Sequence, residues 1–366
     1  MGSQVVLDIS HDFPIRTASP VHSGKVRSVY WLTDADSKNL IKTRGYAVEE
    51  TCQLGIMIIS DRISAFECIW HAKNDLRGVP GKGAALNAIS EHWFKEFSKA
   101  GLAGNHIVDT PHPLVWVVQR ARPIMLEAIV RGYITGSMWR AYSQGSREIC
   151  GIPLPENLKQ DQRLVEPLVT PTTKGVLKGI DGIPEADDVD VSRDVILSHL
   201  QTFHINRRED ISRYESLLLG GFQLIERALE SHGLLFVDTK FEFGYVRGPD
   251  GNDEIIYIDE VGTPDSSRIW DKAEYAQGHV VENSKETFRK ILLSHLPDPD
   301  VLLNKSRFEE RKHLAATYLL PPAAMLEIAA IYQDMAEVIT GKPLIRTDRP
   351  HEEIMDTLGS VLKILQ

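Results

Sequence analysis

The chain has 366 residues, 42% of them hydrophobic and 25% charged, ordinary values for a folded protein that speak against disorder and call for two or three packed lobes. Its net charge of −10, with no basic stripe, disfavours nucleic acid as a partner. No stretch approaches the roughly 18 apolar residues that a membrane span needs.

The opening residues, MGSQVVLDISHDF, lack a basic stretch followed by an apolar run, so neither export nor membrane anchoring is expected. Cys52, Cys68 and Cys150 are odd in number and show no close pairing, which fits a reducing compartment and a cytoplasmic location.

In chain order, residues 21–33 alternate after Ser23-Gly24 and read as a turn entering a strand. Residues 54–60 are almost continuously apolar and stop at Asp61-Arg62, the pattern of a buried strand with a polar end. Pro80-Gly81-Lys82-Gly83 opens a helix whose face carries Leu86, Ile89, Trp93 and Phe97, with Gly101 to end it. Strands are expected at 114–119 and 123–131, and a short helix at 136–143. The stretch 150–190, rich in Pro, Gly, Thr and Asp without a period, reads as a long irregular loop, and loops of that length are usually functional.

Beyond it, Tyr214, Leu218, Phe222, Ile225 and Leu229 mark an amphipathic helix ended at His232-Gly233. A hairpin follows, 234–246 and 254–261, joined by Gly248-Pro249-Asp250-Gly251. Met325, Ile328, Tyr332, Met335 and Ile339 mark a last long helix closed by Gly341. Strands early and helices late argue for α+β lobes rather than a doubly wound sheet.

The hairpin carries the clearest chemical signal. In VDTKFEFG, Asp238, Lys240 and Glu242 lie two apart and share one strand face, while Val237, Phe241 and Phe243 pack away from it. Across the turn, Asp259 and Glu260 are placed to oppose Glu242. Carboxylates that close repel unless a cation lies between them, and hard oxygen ligands suit Mg²⁺, which keeps waters and bridges to phosphates. The alternative is an exposed face with compensating charges.

SGKVRSVY, at 23–30, can fold over a triphosphate through its turn N–H groups, Lys25 and Arg27, or stand as a solvated hairpin. Arg131, ending a strand before Gly136-Ser137 starts a helix, is an anion site or else a surface Arg beside a helix cap. Lys174, in TPTTKG, touches phosphate or belongs to a plain turn. The histidines show no metal spacing, and there is no Ser-His-Asp or Cys-His arrangement.

Together, SGKVRSVY, SDRISAFE, PGKGAALNAISEHWF, EAIVRGYITGSMWRAY, LVEPLVTPTTKG, VDTKFEFG and IDEVGTPDSSRIW resemble, in order, the SAICAR synthetase family, the phosphoribosylaminoimidazole-succinocarboxamide synthases of purine biosynthesis. TYLLPPAAM and the ITGK that ends the last long helix extend the likeness toward the carboxyl end. The resemblance implies a SAICAR synthase-like α+β fold of ATP-grasp-related lobes with antiparallel sheets. Those lobes would be a β-rich nucleotide-binding lobe at 1–122, a central α+β lobe with the Mg²⁺ and ribotide site at 123–282, and a helical region at 283–366.

It also implies a reaction: ATP, the carboxylate of CAIR and the amine of L-aspartate give SAICAR, ADP and phosphate through an acyl phosphate. That chemistry needs Mg²⁺ and no protein nucleophile. By the match, Gly24, Lys25, Val26 and Arg27 hold ATP, with Lys174 on the phosphate side. Glu242 and Asp259 hold Mg²⁺ and nucleotide, with Asp238 beside them as a third metal carboxylate, and Lys240, Glu242 and Asp259 are the catalytic set. Arg131, Ser137, Lys240, Ser267 and Arg268 bind the ribotide and its carboxylate, Asp61 and Ser64 organise the aspartate and ribotide end, and Lys285 and Arg289 contact substrate.

Two departures stand out. Glu67 replaces the Asp that ends the family's SDRISAFD pattern, and Ser284 replaces an acid beside Lys285. Two other classes compete with the ligase: a small-molecule kinase on a related fold, and a nucleotide-binding regulatory module without turnover. A monomer and a homo-oligomer are equally compatible with the sequence.

Overall fold

The computed structural model describes residues 5–248, 250–296 and 298–366, so Pro249 of the expected hairpin turn lies outside the described residues. The chain divides into two compact units, one of Met1–His92, His106–Arg120 and Glu282–Gln366, the other of Trp93–Asn105 and Ala121–Val281.

The first unit is built on an antiparallel sheet in the order His22–Ser23, Arg27–Trp31, Leu54–Ile59, Val115–Gln119, Ile107–His112. The apolar run at 54–59 becomes its central strand, with Leu54, Ile56 and Ile58 fully buried. The helix Lys82–Lys99 starts against the end of that strand: a Cβ at Gly83 would lie 3.2 Å from Ile59, which fixes a glycine at this crossing. Asp61, where the apolar run stops, accepts the Gly83 N–H at 2.9 Å and so caps the first turn of the helix. A small hairpin, Ile63–Ala65 with Cys68–Ala72, is joined in parallel by Leu319–Leu320 from the far end of the chain. The helices Lys285–His295, Phe308–Thr317, Pro322–Thr340 and Pro350–Asp356 belong to the same unit.

In the second unit the strand Leu234–Arg247 is the hub. One edge pairs with Ser267–Asp271 and then Asp253–Ile258; the other pairs with Leu126–Tyr133 and then Arg122–Pro123, all antiparallel. Val237, Phe241 and Phe243 are all buried, but the expected alternation is interrupted by a register shift between Phe236 and Asp238: Val237 packs with Tyr133, Leu235 and Trp270, while Phe241 and Phe243 pack with Tyr257 at ring distances of 5.9 and 5.0 Å. The helix Glu209–Glu230 covers this face, Phe222 meeting Phe236 at 5.1 Å. The whole is an α+β architecture with antiparallel sheets and a late helical region.

Two expectations are corrected. The stretch 150–190 is not all loop: Ile152–Pro153, Arg163–Val169 and Thr172–Thr173 are strands, the last two pairing with Leu126–Tyr133. Arg163–Val169 lies at a sheet edge, carries Pro167, is interrupted by a register shift and leaves Val165 fully exposed, so it has no apolar alternation to read. The second hairpin strand ends at Ile258 rather than 261, because Asp259 turns into the left-handed region at φ +60°.

Candidate active site

The hub strand places Asp238, Lys240 and Glu242 on one face, and strand register decides what meets them. Asp238 pairs with Arg131 and Lys240 with Ile129, which sets Glu127 on the same face, two residues beyond Ile129. Lys240 Nζ donates to Glu127 Oε1 at 2.5 Å and lies 3.5 Å from Glu242 Oε1, while Lys174 Nζ donates to Glu242 Oε2 at 2.5 Å. Both Glu242 oxygens thus face ammonium groups.

The electrostatics follow from burial and these pairs. Burial pushes the Glu242 carboxyl up, but Lys174 and Lys240 together outweigh it and hold the group below its ordinary value. Burial works to lower the Lys240 ammonium, and Glu242, Glu127 and Asp259 overcome that and raise it, so it stays charged. Burial raises Glu127, with Lys240 opposing. Asp259, one residue past the Ile258 that pairs with Glu242, is close enough to Lys240 to contribute.

At the other end of the strand the cations are guanidinium ions. Arg268 donates to Asp238 through its side chain at 2.5 Å and its backbone N–H at 3.2 Å; Arg131 lies 3.9 Å from the same carboxylate and donates to Thr170 Oγ1 at 2.9 Å. Gly136, at φ +56°, opens the helix Gly136–Ser143 beside them, and a Cβ there would come within 2.6 Å of the Arg268 guanidinium. Ser137 is exposed at this helix start, and the Ser267 hydroxyl is buried 2.9 Å from Thr239 Oγ1. Arg131, Asp238, Arg268 and Gly136 are therefore drawn together, as are Lys174, Lys240, Glu242 and Glu127.

In the first unit, the Gly24 N–H donates to Arg27 O at 2.7 Å, closing the turn that carries Lys25 and Val26. Val26 O accepts the Ser60 N–H at 2.8 Å, and Arg62 reaches Gly24 O at 3.4 Å, so SGKVRSVY and SDRISAFE are stitched to each other. Asp61 is 2% exposed and accepts the Leu7 and Gly83 N–H groups at 2.8 and 2.9 Å; burial pushes its carboxyl up to about 6 against those bonds. Ser64 sits in Ile63–Ala65, against which Lys285–His295 packs. Arg289 pairs with Glu286 at 2.8 Å one turn along that helix. Ser284 is its N-cap, accepting the Glu286 N–H at 3.2 Å and donating to Glu282 at 2.9 Å, so a carboxylate is still present two residues earlier. Glu67 meets Arg311 at 3.2 Å.

A family model for SAICAR synthetase matches residues 20–299. The chain belongs to the SAICAR synthetase family. The phosphoribosylaminoimidazole-succinocarboxamide synthase of Vibrio cholerae serotype O1 is 60% identical over 361 residues, covering 99% of this chain and 98% of that one. Its counterpart in Aliivibrio fischeri is 59% identical over 356 residues, 97% of each chain. Among solved structures, the SAICAR-synthase from Saccharomyces cerevisiae complexed with SAICAR superposes with a TM-score of 0.61 at 28% identity, covering 88% of this chain and 95% of that one.

Within this SAICAR synthetase framework, Glu127 and Thr170 touch the predicted site residues but were not among them. The signal for Glu127 is alternation in LEAIVRGY, where Glu127, Ile129 and Arg131 share a face. Thr170 had none, since only the fold brings it to Arg131. Among the described residues no three His, Cys, Asp or Glu side chains gather closely enough to hold a metal by themselves. Glu127, Glu242 and Asp259 nevertheless bring carboxylate oxygens toward Lys240, the chemistry Mg²⁺ prefers, and Mg²⁺ takes one or two protein carboxylates with phosphate and water completing its shell. Of the expected metal carboxylates, Asp238 is held by Arg268, whereas Glu242 and Asp259 lie at the lysine end.

Proposed function

We propose that the chain is the ATP-dependent ligase that joins the carboxylate of CAIR to the amine of L-aspartate, giving SAICAR, ADP and phosphate in purine biosynthesis, a reaction of the cytoplasm. The observation that carries the residue assignment is the division of one strand face: a guanidinium pair about Asp238 at one end, two ammonium groups about Glu242 at the other. Planar guanidinium forks suit a phosphorylated acid, and ammonium groups suit transferring phosphoryl oxygens.

In this reading Arg131 and Arg268, with Ser137 and Ser267, bind the ribotide. Asp238 aims the guanidinium groups, sitting beside the metal position rather than at it. Glu242 and Asp259 would hold Mg²⁺, which would supply positive charge against the phosphate oxygens of the nucleotide. Lys240 and Lys174 neutralise the phosphoryl group as it passes to the CAIR carboxylate, and Glu127 keeps Lys240 charged and in place. The acyl phosphate formed has phosphate as leaving group, which the aspartate amine displaces; no protein nucleophile takes part. On the first unit, Gly24, Lys25, Val26 and Arg27 are assigned to ATP, and Asp61, Ser64, Lys285 and Arg289 to the aspartate and ribotide end.

The test is ADP release with Mg-ATP, CAIR and aspartate, omitting each in turn, with SAICAR identified as product. Aspartate-dependent turnover is expected, reduced about 10²- to 10³-fold in Glu242→Gln. ATP hydrolysis indifferent to CAIR and aspartate would sink the reading.

A further inference from the structure

The hairpin Ile63–Ala65/Cys68–Ala72 turns through just two residues, Phe66 and Glu67, at φ +51° and +67°. Two-residue turns of that hand favour Asn and Gly, and a Phe followed by a Glu in the left-handed region persists only where the surroundings hold it. One side chain from far along the sequence does so. Arg311, on the helix Phe308–Thr317, is 2% exposed. Its guanidinium donates to Phe66 O at 3.3 Å and Glu67 Oε2 at 3.2 Å on the turn, and to Val301 O at 3.0 Å and Asn304 O at 2.9 Å on its own side. A rigid planar fork is the one side chain able to hold acceptors on both sides at once. A second tie holds the hairpin's exit: Leu319–Leu320 pairs with His71 and Ala72, and the Lys73 N–H donates to Leu320 O at 2.9 Å. Both ties come from beyond residue 299, where the family model's match stops.

We propose that Arg311 is a positioning residue for the reaction: the 300–320 stretch is a built-in brace that fixes the Phe66–Glu67 turn and, through it, Asp61 and Ser64. The inference rests on the assignment of Asp61 and Ser64 to the aspartate and ribotide end. A lysine at 311 keeps the charge but cannot span the four acceptors.

Arg311→Lys is therefore expected to raise KM for aspartate or CAIR about tenfold, a loss typical of a displacement well under 1 Å, with kcat within about threefold and KM for ATP little changed. Amide exchange in the substrate-free protein should quicken across 63–73 and across 300–312, which Arg311 also ties, and not elsewhere in the first unit. If Arg311→Lys does not fold, Glu67→Lys takes its place: the Glu67 side chain is 51% exposed, and an ammonium there opposes the guanidinium. A folded variant with KM values within twofold of the parent overturns the proposal, even if exchange quickens, because the brace would then be structural only. Failure of the parent itself to turn over would instead count against the ligase reading, and the exchange measurement would still show whether Arg311 braces the turn.

Discussion

At the residue scale, Asp61 shows how one buried carboxylate links stability to pH. Its ordinary value is 3.8 and burial raises it to about 6, the Gly83 and Leu7 N–H groups and Lys82 pulling the other way. Because the folded state holds the proton more tightly than the unfolded chain, the stabilisation is fully present below about pH 3.8 and lost as pH rises through about 6. The difference corresponds to roughly 3 kcal/mol. Asp61→Asn should start about 1–2 kcal/mol less stable, since its single oxygen can accept only part of what two oxygens did. It should also lose this dependence, so the change in urea-unfolding stability between pH 4, where most of the effect is present, and pH 7 should differ by roughly 2 kcal/mol between variant and parent. Equal differences would mean that Asp61 is not the group responsible. Asp238 makes the complementary case. Removing it as Asp238→Ala leaves Arg131 and Arg268 without their shared carboxylate and should cost about 3–5 kcal/mol. Part of that should return in Asp238→Ala/Arg268→Met, and additive losses in the double variant would show that the two side chains are not coupled.

At the scale of elements, the turn after the second hairpin strand is held by packing rather than by pairing. Gly262 has φ +62°, and a Cβ there would lie 2.7 Å from both Ile225 and Trp93, so neither its conformation nor its space admits a side chain. Gly262→Ala should cost about 2–3 kcal/mol in urea unfolding, and a loss below about 0.5 kcal/mol would contradict that packing. Elements of this unit were legible where apolar periodicity is strong: the helix about Leu218, Phe222 and Ile225, and the hub strand with its charged face. They were not legible where burial is one-sided. Arg163–Val169 is an exposed edge, and the first unit's Asp34–Arg44 buries only Ser37, Leu40 and Ile41, its ends marked by the Thr33 cap and left-handed Gly45 rather than by a periodic face. The site divides the same way. Asp238, Lys240 and Glu242 share a face by local alternation, whereas the meeting of Arg131, Thr170 and Arg268 depends on strand register across more than 30 residues. Arg311 stands in the charged run RFEERKH with no local apolar pattern to mark it, and only the fold shows it buried.

At the scale of the whole molecule, a net charge of −10 coexists with a sheet face that gathers Arg131, Lys174, Lys240 and Arg268 against Glu127, Asp238 and Glu242. Four cations against three anions leave that face close to neutral, so a nucleotide bringing several negative charges needs a further cation to bind well. Glu242 faces two lysines, and on the proposed assignment a divalent ion accompanying the nucleotide would be held by its carboxylate, leaving Lys174 and Lys240 to face phosphate oxygens. Stability against heat should report this directly, because a ligand that binds only the folded state stabilises it by about 2.7 kcal/mol at a hundred times its Kd. Mg-ATP at that level should raise the unfolding temperature of the parent by several degrees, ATP with chelator by much less, and Glu242→Gln should erase most of the difference between the two. An equal rise with and without Mg²⁺ in the parent would show that Glu242 and Asp259 do not hold the ion and that the lysines alone carry the nucleotide. A rise that keeps its Mg²⁺ dependence in Glu242→Gln would move the metal to another carboxylate, for which Glu127, 2.5 Å from Lys240 on the same face, is the next to substitute.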